Sequence, residues 1–318
     1  MTSRLPEITL LFISLFVQGL PFLFLGALIS GLVSSFLPIR QFISWMPKSP
    51  LASALLGILA GLVFPSCECV GLPLVRRLTM KGLPLCAALA YLFAGPAINP
   101  IALGSTWLAF SFEDPAIAVL LRFSGSVLVA LILALVLNRL GATWVVRPEV
   151  ISASGSNENL ETAPAEAALW LRSRHPRLAA AMQITLSDFL TVSLFYIAGS
   201  LLAALAQTYA GAFLGDMGNT PSAIPLMMLA AILSSVCSSA DAFVAKSYVG
   251  MSQAATFAFL WIGPVLDLKL LMVYRSFFQP RAILLLSALA ILIVLLLALS
   301  LNRLPPELFS RSYWEGWN

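Results

Sequence analysis

Two cysteines flank a glutamate inside an apolar run, in the order Pro65-Ser66-Cys67-Glu68-Cys69. Pro65 interrupts a helix and exposes backbone carbonyls, which a bilayer tolerates only beside protein or a wet cavity. Two thiolates this close can bind one soft ion, and a charged glutamate costs about 2.5–3.5 kcal/mol or more at the bilayer centre. We therefore interpret Cys67, Glu68 and Cys69 as candidate substrate-binding residues. For the two thiols, packing of small side chains beside a kink is an equally simple interpretation.

A second polar segment lies in the other half of the chain, from Ser234 to Asp241. It carries four hydroxyl groups, one thiol and one carboxyl group in an otherwise apolar run. We expect it to line a pathway, and we expect Asp241 to pair with Lys246. The alternative is a helix end with a solvated acid. The candidate substrate-binding residues of this segment are Cys237, Ser238, Ser239 and Asp241.

Two further apolar runs are interrupted by the same pattern, a Gly-Pro pair followed by a polar residue three positions later. These are Gly95-Pro96 with Asn99, and Gly263-Pro264 with Asp267. Freed carbonyls beside an oxygen ligand suit cation or proton coupling at a broken helix. Asn99 and Asp267 are therefore candidate binding residues. The simpler role of Asn99 is a hydrogen bond to a freed carbonyl, and that of Asp267 is an ion pair with Lys269 or Arg275.

The basic residues that follow the first segment, Arg76 and Arg77, have two interpretations. They either form a gate or attract an anion, or they anchor the end of a span, as the positive-inside rule expects. Lys246 and Lys269 are expected to pair with the nearby acids. The candidates for gating or charge pairing are Arg76, Arg77, Lys246 and Lys269.

The elements that position these residues follow from composition. Of 318 residues, 60% are hydrophobic and only 10% are charged, against about 25% charged in soluble domains. The runs are too long and unbroken for a β-barrel. We predict an all-α polytopic membrane protein of about eight transmembrane helices, with broken or re-entrant segments. The apolar runs are Ile8–Leu37, Leu51–Val75, Leu83–Phe110, Pro115–Leu137, Ile184–Tyr209, Ala223–Ala245, Ala254–Phe278 and Ala282–Leu301.

The chain divides into two membrane halves, residues 1–140 and 179–318, joined by a polar linker over residues 141–178 that we expect to be cytoplasmic. Shifting the sequence by 168 positions superimposes Cys69 on Cys237 and Asn99 on Asp267, which predicts an internal repeat. If Leu51–Val75 crosses the membrane, the halves are parallel; if it dips in and returns, they are inverted. The length of this run favours eight full crossings.

Several function classes are excluded or disfavoured. The net charge of +4 comes from residues at the ends of apolar runs, so we expect no nucleic-acid partner. The sequence has no Walker A motif and a single histidine, so ATP hydrolysis and most histidine-based catalysis are excluded. We therefore expect that the protein is not an enzyme and that it has neither a cofactor nor a resident metal site.

The combined pattern resembles a known family. The stretch from Pro65-Ser66-Cys67-Glu68-Cys69 to Gly95-Pro96-Ala97-Ile98-Asn99-Pro100, together with Cys237-Ser238-Ser239-Ala240-Asp241 and Gly263-Pro264-Val265-Leu266-Asp267, is similar to the predicted permeases that include ArsP-type organoarsenical efflux permeases. The resemblance covers nearly the whole chain. It implies an eight-span permease of the bacterial inner membrane, and in some members export of trivalent organoarsenicals.

The leading hypothesis is a secondary permease that contacts the lipid bilayer and moves a small solute, either a trivalent organoarsenical or a soft metal species. Its cysteines would bind the solute, and Glu68, Asp241 and Asp267 would carry protons or a cation. The alternatives are a non-transporting subunit of a membrane complex and a thiol-redox membrane protein. A homo-oligomer or a membrane partner subunit is compatible with the sequence.

Overall fold

The computed structural model describes residues 50–63, 68–80, 82–112, 114–148, 223–248 and 251–303, together with scattered positions between 8 and 49 and between 181 and 205. Within these ranges the protein is helical and forms no strand, apart from one isolated bridge between Val146 and Phe278. The helices are α1 (Pro50–Val63), α2 (Glu68–Met80), α3 (Leu85–Ile98), α4 (Pro100–Ala109), α5 (Pro115–Leu140), α6 (Ala142–Val145), α7 (Ala223–Ser234), α8 (Asp241–Ser247), α9 (Gln253–Ile262), α10 (Leu268–Tyr274) and α11 (Pro280–Leu301).

Three helical stretches in the described part of the chain are long and apolar enough to cross a membrane. They are Leu85–Ala109, Pro115–Leu140 and Pro280–Leu301. The helical and apolar character predicted from the sequence is confirmed. The count of eight spans stays a prediction, since most of the first and fifth runs lies outside the described residues.

Helix α3 forms the centre of the first half and is buried on almost every side. It packs against α1, α2 and α5. This burial depends on glycines in α1: a Cβ atom at Gly57 would lie 2.2 Å from the carbonyl oxygen of Ala87, and one at Gly61 would lie 2.8 Å from the Cα of Gly95. Small residues of this kind let helix backbones approach closely in membrane proteins.

These contacts also give the direction of each helix. Gly57 lies beside Ala87 and Gly61 beside Gly95, so α1 and α3 run in the same sense. Gly71 of α2 lies beside Leu92, and α2 joins the start of α3 through a short turn, so these two helices are antiparallel. The chain therefore reverses between α1 and α2, which form a helical hairpin. Residues 64–67, which join the two helices, lie outside the described part.

The second half contains α7 and α8, which both pack against α9. Residues 235–240 connect α7 to α8, and Ser235 has a φ of 47°, a backbone conformation that favours glycine. The two halves meet where α5 packs against α9 and α11, where α8 packs against α4 and where α10 packs against α2. The described polar side chains of the candidate site lie close to the α8–α4 and α10–α2 contacts.

Of the predicted linker, only residues 141–148 are described. They continue the folded part rather than leaving it: Arg147 N donates to Phe277 O at 2.9 Å, and Gln279 N donates to Val145 O at 3.0 Å. Val145 and Val146 are buried. The ordered contact between the halves thus extends past residue 140.

The contact between α1 and α3 makes Gly57→Ala destabilising. Because the added methyl group meets backbone rather than a movable side chain, we expect a loss of about 1–3 kcal/mol in stability. The measurement is thermal unfolding of the purified protein in detergent, followed by tryptophan fluorescence. Gly104→Ala is the matched control, since a Cβ atom there meets nothing within 4 Å. Equal melting temperatures for the two variants would contradict the close α1–α3 contact.

Candidate functional site

The break between α3 and α4 is held by Asn99. Its backbone is extended, with φ of −64° and ψ of 154°. Its Nδ2 donates to Pro96 O at 2.9 Å, and its Oδ1 accepts from Ala102 N at 2.8 Å. The expected hydrogen bond to a freed carbonyl is therefore present. The same side chain also caps α4, so both ends of its amide have local partners.

Asp267 has the same position at the start of α10. Its Oδ1 accepts from Leu270 N, which caps the helix. Its Oδ2 lies 3.9 Å from Lys269 Nζ. The ion pair with Lys269 that the sequence suggested is thus formed, and both side chains are buried.

Arg122 is the central charged residue of the site, although it belongs to none of the polar segments that the sequence pattern indicated. It lies in α5 and is fully buried. Its Nη1 and Nη2 atoms donate to Oδ1 and Oδ2 of Asp241 at 2.8 and 2.9 Å. Such a bidentate pair is strong and fixes the orientation of both groups. An arginine within a 26-residue helix that is otherwise mostly apolar was the signal available in the sequence.

The remaining donors of Arg122 also have partners. Its Nε donates to Ala97 O at 3.2 Å, Nη1 also donates to Thr106 Oγ1 at 2.9 Å, and Nη2 donates to Ser238 O at 3.0 Å. All five N–H groups of a guanidinium are therefore used. One side chain ties the broken helix of the first half to the 235–240 segment of the second half.

The predicted pairing of Asp241 with Lys246 is wrong. Both carboxylate oxygens of Asp241 accept hydrogen bonds from Arg122 instead. A spacing of five residues does not bring two side chains to the same face of a helix. Lys246 is half-buried, and its Nζ lies 4.5 Å from the ring centroid of Phe110. This is a cation–π distance.

Glu68 joins the first hairpin to the second polar segment. It is the first residue of α2 and is 3% exposed. Its Oε1 accepts from Ser238 N at 3.2 Å, across 170 positions of sequence. It also lies within electrostatic range of Lys269, Asp267 and Asp241. We call this place, where Glu68 meets residues 237–241, the tip contact.

Cys237 belongs to the tip contact. It is half-buried and reduced, and Ser239 Oγ donates to its Sγ at 3.6 Å. Glu68 and Lys269 lie within electrostatic range of the thiol. The structure therefore brings a thiol, carboxyl groups, hydroxyl groups and an ammonium group to one buried place.

The side chains of three predicted site residues, Cys67, Cys69 and Arg77, lie outside the described part of the protein. Arg76 is half-buried on α2, two helical turns beyond Glu68. Among the described residues, no three His, Cys, Asp or Glu side chains form a metal-binding group.

The Arg122–Asp241 pair allows a direct test by a double-mutant cycle. Arg122→Met should lower stability by about 3–5 kcal/mol, because it leaves a buried carboxylate without its counter-ion. Asp241→Leu should have a similar effect by leaving the guanidinium unpaired. The double variant should melt at a higher temperature than Arg122→Met alone, since neither charge remains. Strictly additive losses in thermal unfolding would contradict the buried pair.

Comparison with known proteins finds relatives over most of the chain. A family model described as a predicted permease, of the ArsP type, matches residues 4–302. The UPF0718 protein YcgR of Bacillus subtilis (strain 168) is 30% identical over 297 residues, which cover 92% of this chain and 96% of that protein. A protein of Streptococcus mutans serotype c, named a putative two-component membrane permease complex subunit, is 32% identical over 277 residues, covering 86% and 88% of the two chains.

No solved structure matches the chain significantly. The family match spans nearly the whole sequence, from the first apolar run to the end of α11, and it contains every residue of the tip contact. A match of this length is enough to assign the family. The chain belongs to the predicted permease family of the ArsP type.

Proposed function

We propose that the protein is a secondary permease of the bacterial inner membrane that binds a small solute at the tip contact. The observation that carries this proposal is the bond from Ser238 N to Glu68 Oε1, which joins two interrupted segments from opposite halves. Interrupted helices that meet near the middle of a membrane protein are typical of transporter binding sites.

The proposed solute is thiophilic, and the proposed direction is efflux. Support comes from the cysteines of the two segments: Cys237 lies in the tip contact, and Cys69 directly follows Glu68 in the sequence. Thiolates select soft metals, and trivalent arsenic has the same preference. The candidate solutes are trivalent organoarsenicals and soft metal species, and the protein acts without enzymatic chemistry or a cofactor.

We further propose that the two halves are an inverted repeat. Adding 168 to the first residues of α3 and α4 gives the first residues of α9 and α10. Asn99 and Asp267 each cap the following helix by the same bond, to the backbone nitrogen three residues later. The packing is reciprocal too: α2 packs against α10, and α4 packs against α8.

The α1–α2 hairpin supports the inverted arrangement over the parallel one. A hairpin that enters and leaves on the same side contributes no crossing. Each half then contributes three crossings, an odd number that inverts the second half. This proposal replaces the eight full crossings favoured by run length. It keeps the polar linker on the cytoplasmic side, as the basic residues suggest.

Cysteine labelling tests the hairpin. Ser49→Cys and Lys81→Cys flank α1 and α2, and we expect both to react with a membrane-impermeant thiol reagent from the same side of the membrane. The experiment uses a background in which Cys67, Cys69, Cys86 and Cys237 are serine. Labelling from opposite sides would support a single full crossing instead.

Transport is tested by accumulation of trivalent methylarsenical in a sensitive bacterium. Cells with the wild-type chain should accumulate less than cells with empty vector, and Cys67→Ser/Cys69→Ser should abolish the difference at matched expression. Cys86→Ser is the control, because this buried thiol lies at the opposite end of α3 from the break at Asn99. Accumulation that is unchanged by the wild-type chain would overturn the arsenical assignment.

A second candidate function is that of a subunit in a membrane permease complex. The observation that favours it is the name of the Streptococcus mutans relative, which is called a subunit of a two-component complex. Affinity purification of the tagged chain from its native membrane separates the two candidates. A stoichiometric membrane partner would support the subunit role, and transport by the purified chain alone in liposomes would contradict it.

A further inference from the structure

The buried ionisable groups of the described residues do not balance. Five Asp, Glu, Lys or Arg side chains of the described residues are buried: the three acids Glu68, Asp241 and Asp267, and the two bases Arg122 and Lys269. Arg122 and Asp241 neutralise each other through two short hydrogen bonds. Two carboxyl groups then share the single ammonium group of Lys269. One carboxylate is thus left without a counter-charge. Because such a group is costly in a buried place, the site favours the uptake of one positive charge.

Asp267 shows where that charge is needed. Its Oδ1 is occupied by the helix cap, whereas its Oδ2 is buried without a hydrogen-bond partner. Lys269 Nζ, at 3.9 Å, compensates the charge but is too far away for a hydrogen bond. Asp267 is 1% exposed, so bulk water does not satisfy this oxygen. A proton on the Oδ2 atom, or on a neighbouring carboxyl group that donates to it, satisfies both the charge and the geometry.

We infer that Glu68 and Asp267 together bind one proton beside Lys269, and that this proton is the coupling ion of the permease. The inference rests on the proposed transport function and names its driving ion. Asp241, which the sequence also suggested as a carrier, is excluded by its bidentate pair with Arg122. A hard metal cation such as Na⁺ is disfavoured as the coupling ion, because the ammonium group of Lys269 beside Asp267 would repel it.

The charged surroundings of the pair come from several elements. Helix α10 contributes Lys269, α8 contributes Asp241 with its partner Arg122 from α5, and the 235–240 segment contributes the Cys237 thiol. On α2, Arg76 lies eight residues beyond Glu68, about 12 Å along the helix axis. Both oxygens of Asp241 are occupied by the guanidinium group of Arg122, so the proton is exchanged by the two remaining carboxyl groups, those of Glu68 and Asp267.

Proton binding is linked to the solute site through one hydrogen bond. Ionised Glu68 accepts strongly from Ser238 N, and a neutral carboxyl group accepts less strongly. Ser238 directly follows Cys237 in the chain. Loss of the proton therefore strengthens the tip contact next to the thiol, and gain of the proton weakens it. The site therefore holds either the proton or the solute, but not both at once, which is the relation that an antiporter requires.

The test is infrared spectroscopy of the full chain in lipid nanodiscs, which detects the C=O stretch of protonated carboxyl groups. At neutral pH we expect a band that disappears as the pH rises, since the proton then leaves. Glu68→Gln and Asp267→Asn should each abolish this titrating band. Glu149→Gln, in the polar linker, is the control that should retain it, and Glu68→Asp should restore a titrating band at a shifted pH. Monodisperse elution confirms that each variant is folded.

Two outcomes would overturn the inference. One is a titrating band that persists in both variants or is absent from the wild type. The other is a band that is lost when Na⁺ replaces K⁺ at constant pH, which would assign the site to sodium. Addition of phenylarsine oxide separates this inference from the proposed function. Release of the proton would support the coupling, while a titrating band without any binding of the arsenical would leave the proton site in place and contradict the arsenical substrate.

Discussion

The described part of the protein is organised around a single buried guanidinium group. Arg122 uses all its donors on groups from α4, α8, the end of α3 and the 235–240 segment. A buried arginine is stable only when its charge is paired and its donors are satisfied. The carbonyl of Ala97 is available because the helix is interrupted after Ile98. The helix break in the first half and the 235–240 segment in the second half therefore both supply hydrogen-bond acceptors to Arg122.

Close packing of small residues allows this polar centre to be reached from the first hairpin. Helix α1 can lie against α3 because Gly57 and Gly61 place no side chain between the two backbones. The end of α1 consequently lies beside Gly95, at the depth of the helix break. Helix α2 starts at that depth, so its first residue, Glu68, comes within hydrogen-bond distance of Ser238. An apolar contact thus sets the position of a polar one.

Much of the candidate site was visible in the sequence, because its residues are polar exceptions in apolar runs. The hydrogen bond from Asn99 to a freed carbonyl and the approach of Lys269 to Asp267 follow from local chain geometry, which short-range patterns predict well. The pairing of Asp241 with Arg122 joins residues 119 positions apart, and no local pattern contains it. The reversal between α1 and α2 was one of two alternatives and not the favoured one, because hydropathy measures the length of an apolar run but not the direction of the chain within it.

Two of the polar links between the halves, the Arg122–Asp241 pair and the Glu68–Ser238 bond, differ in strength, and for the proposed permease the difference indicates which of the two opens. Arg122 and Asp241 form a bidentate pair with three further hydrogen bonds from the guanidinium group, so separating them would leave several buried groups unpaired. Glu68 and Ser238 share one hydrogen bond of 3.2 Å, whose strength changes with the charge of the carboxyl group. Alternating access requires one half to move against the other around a fixed site. The Arg122–Asp241 pair has the properties of the fixed point, and the bond between Glu68 and Ser238 has those of the contact that opens.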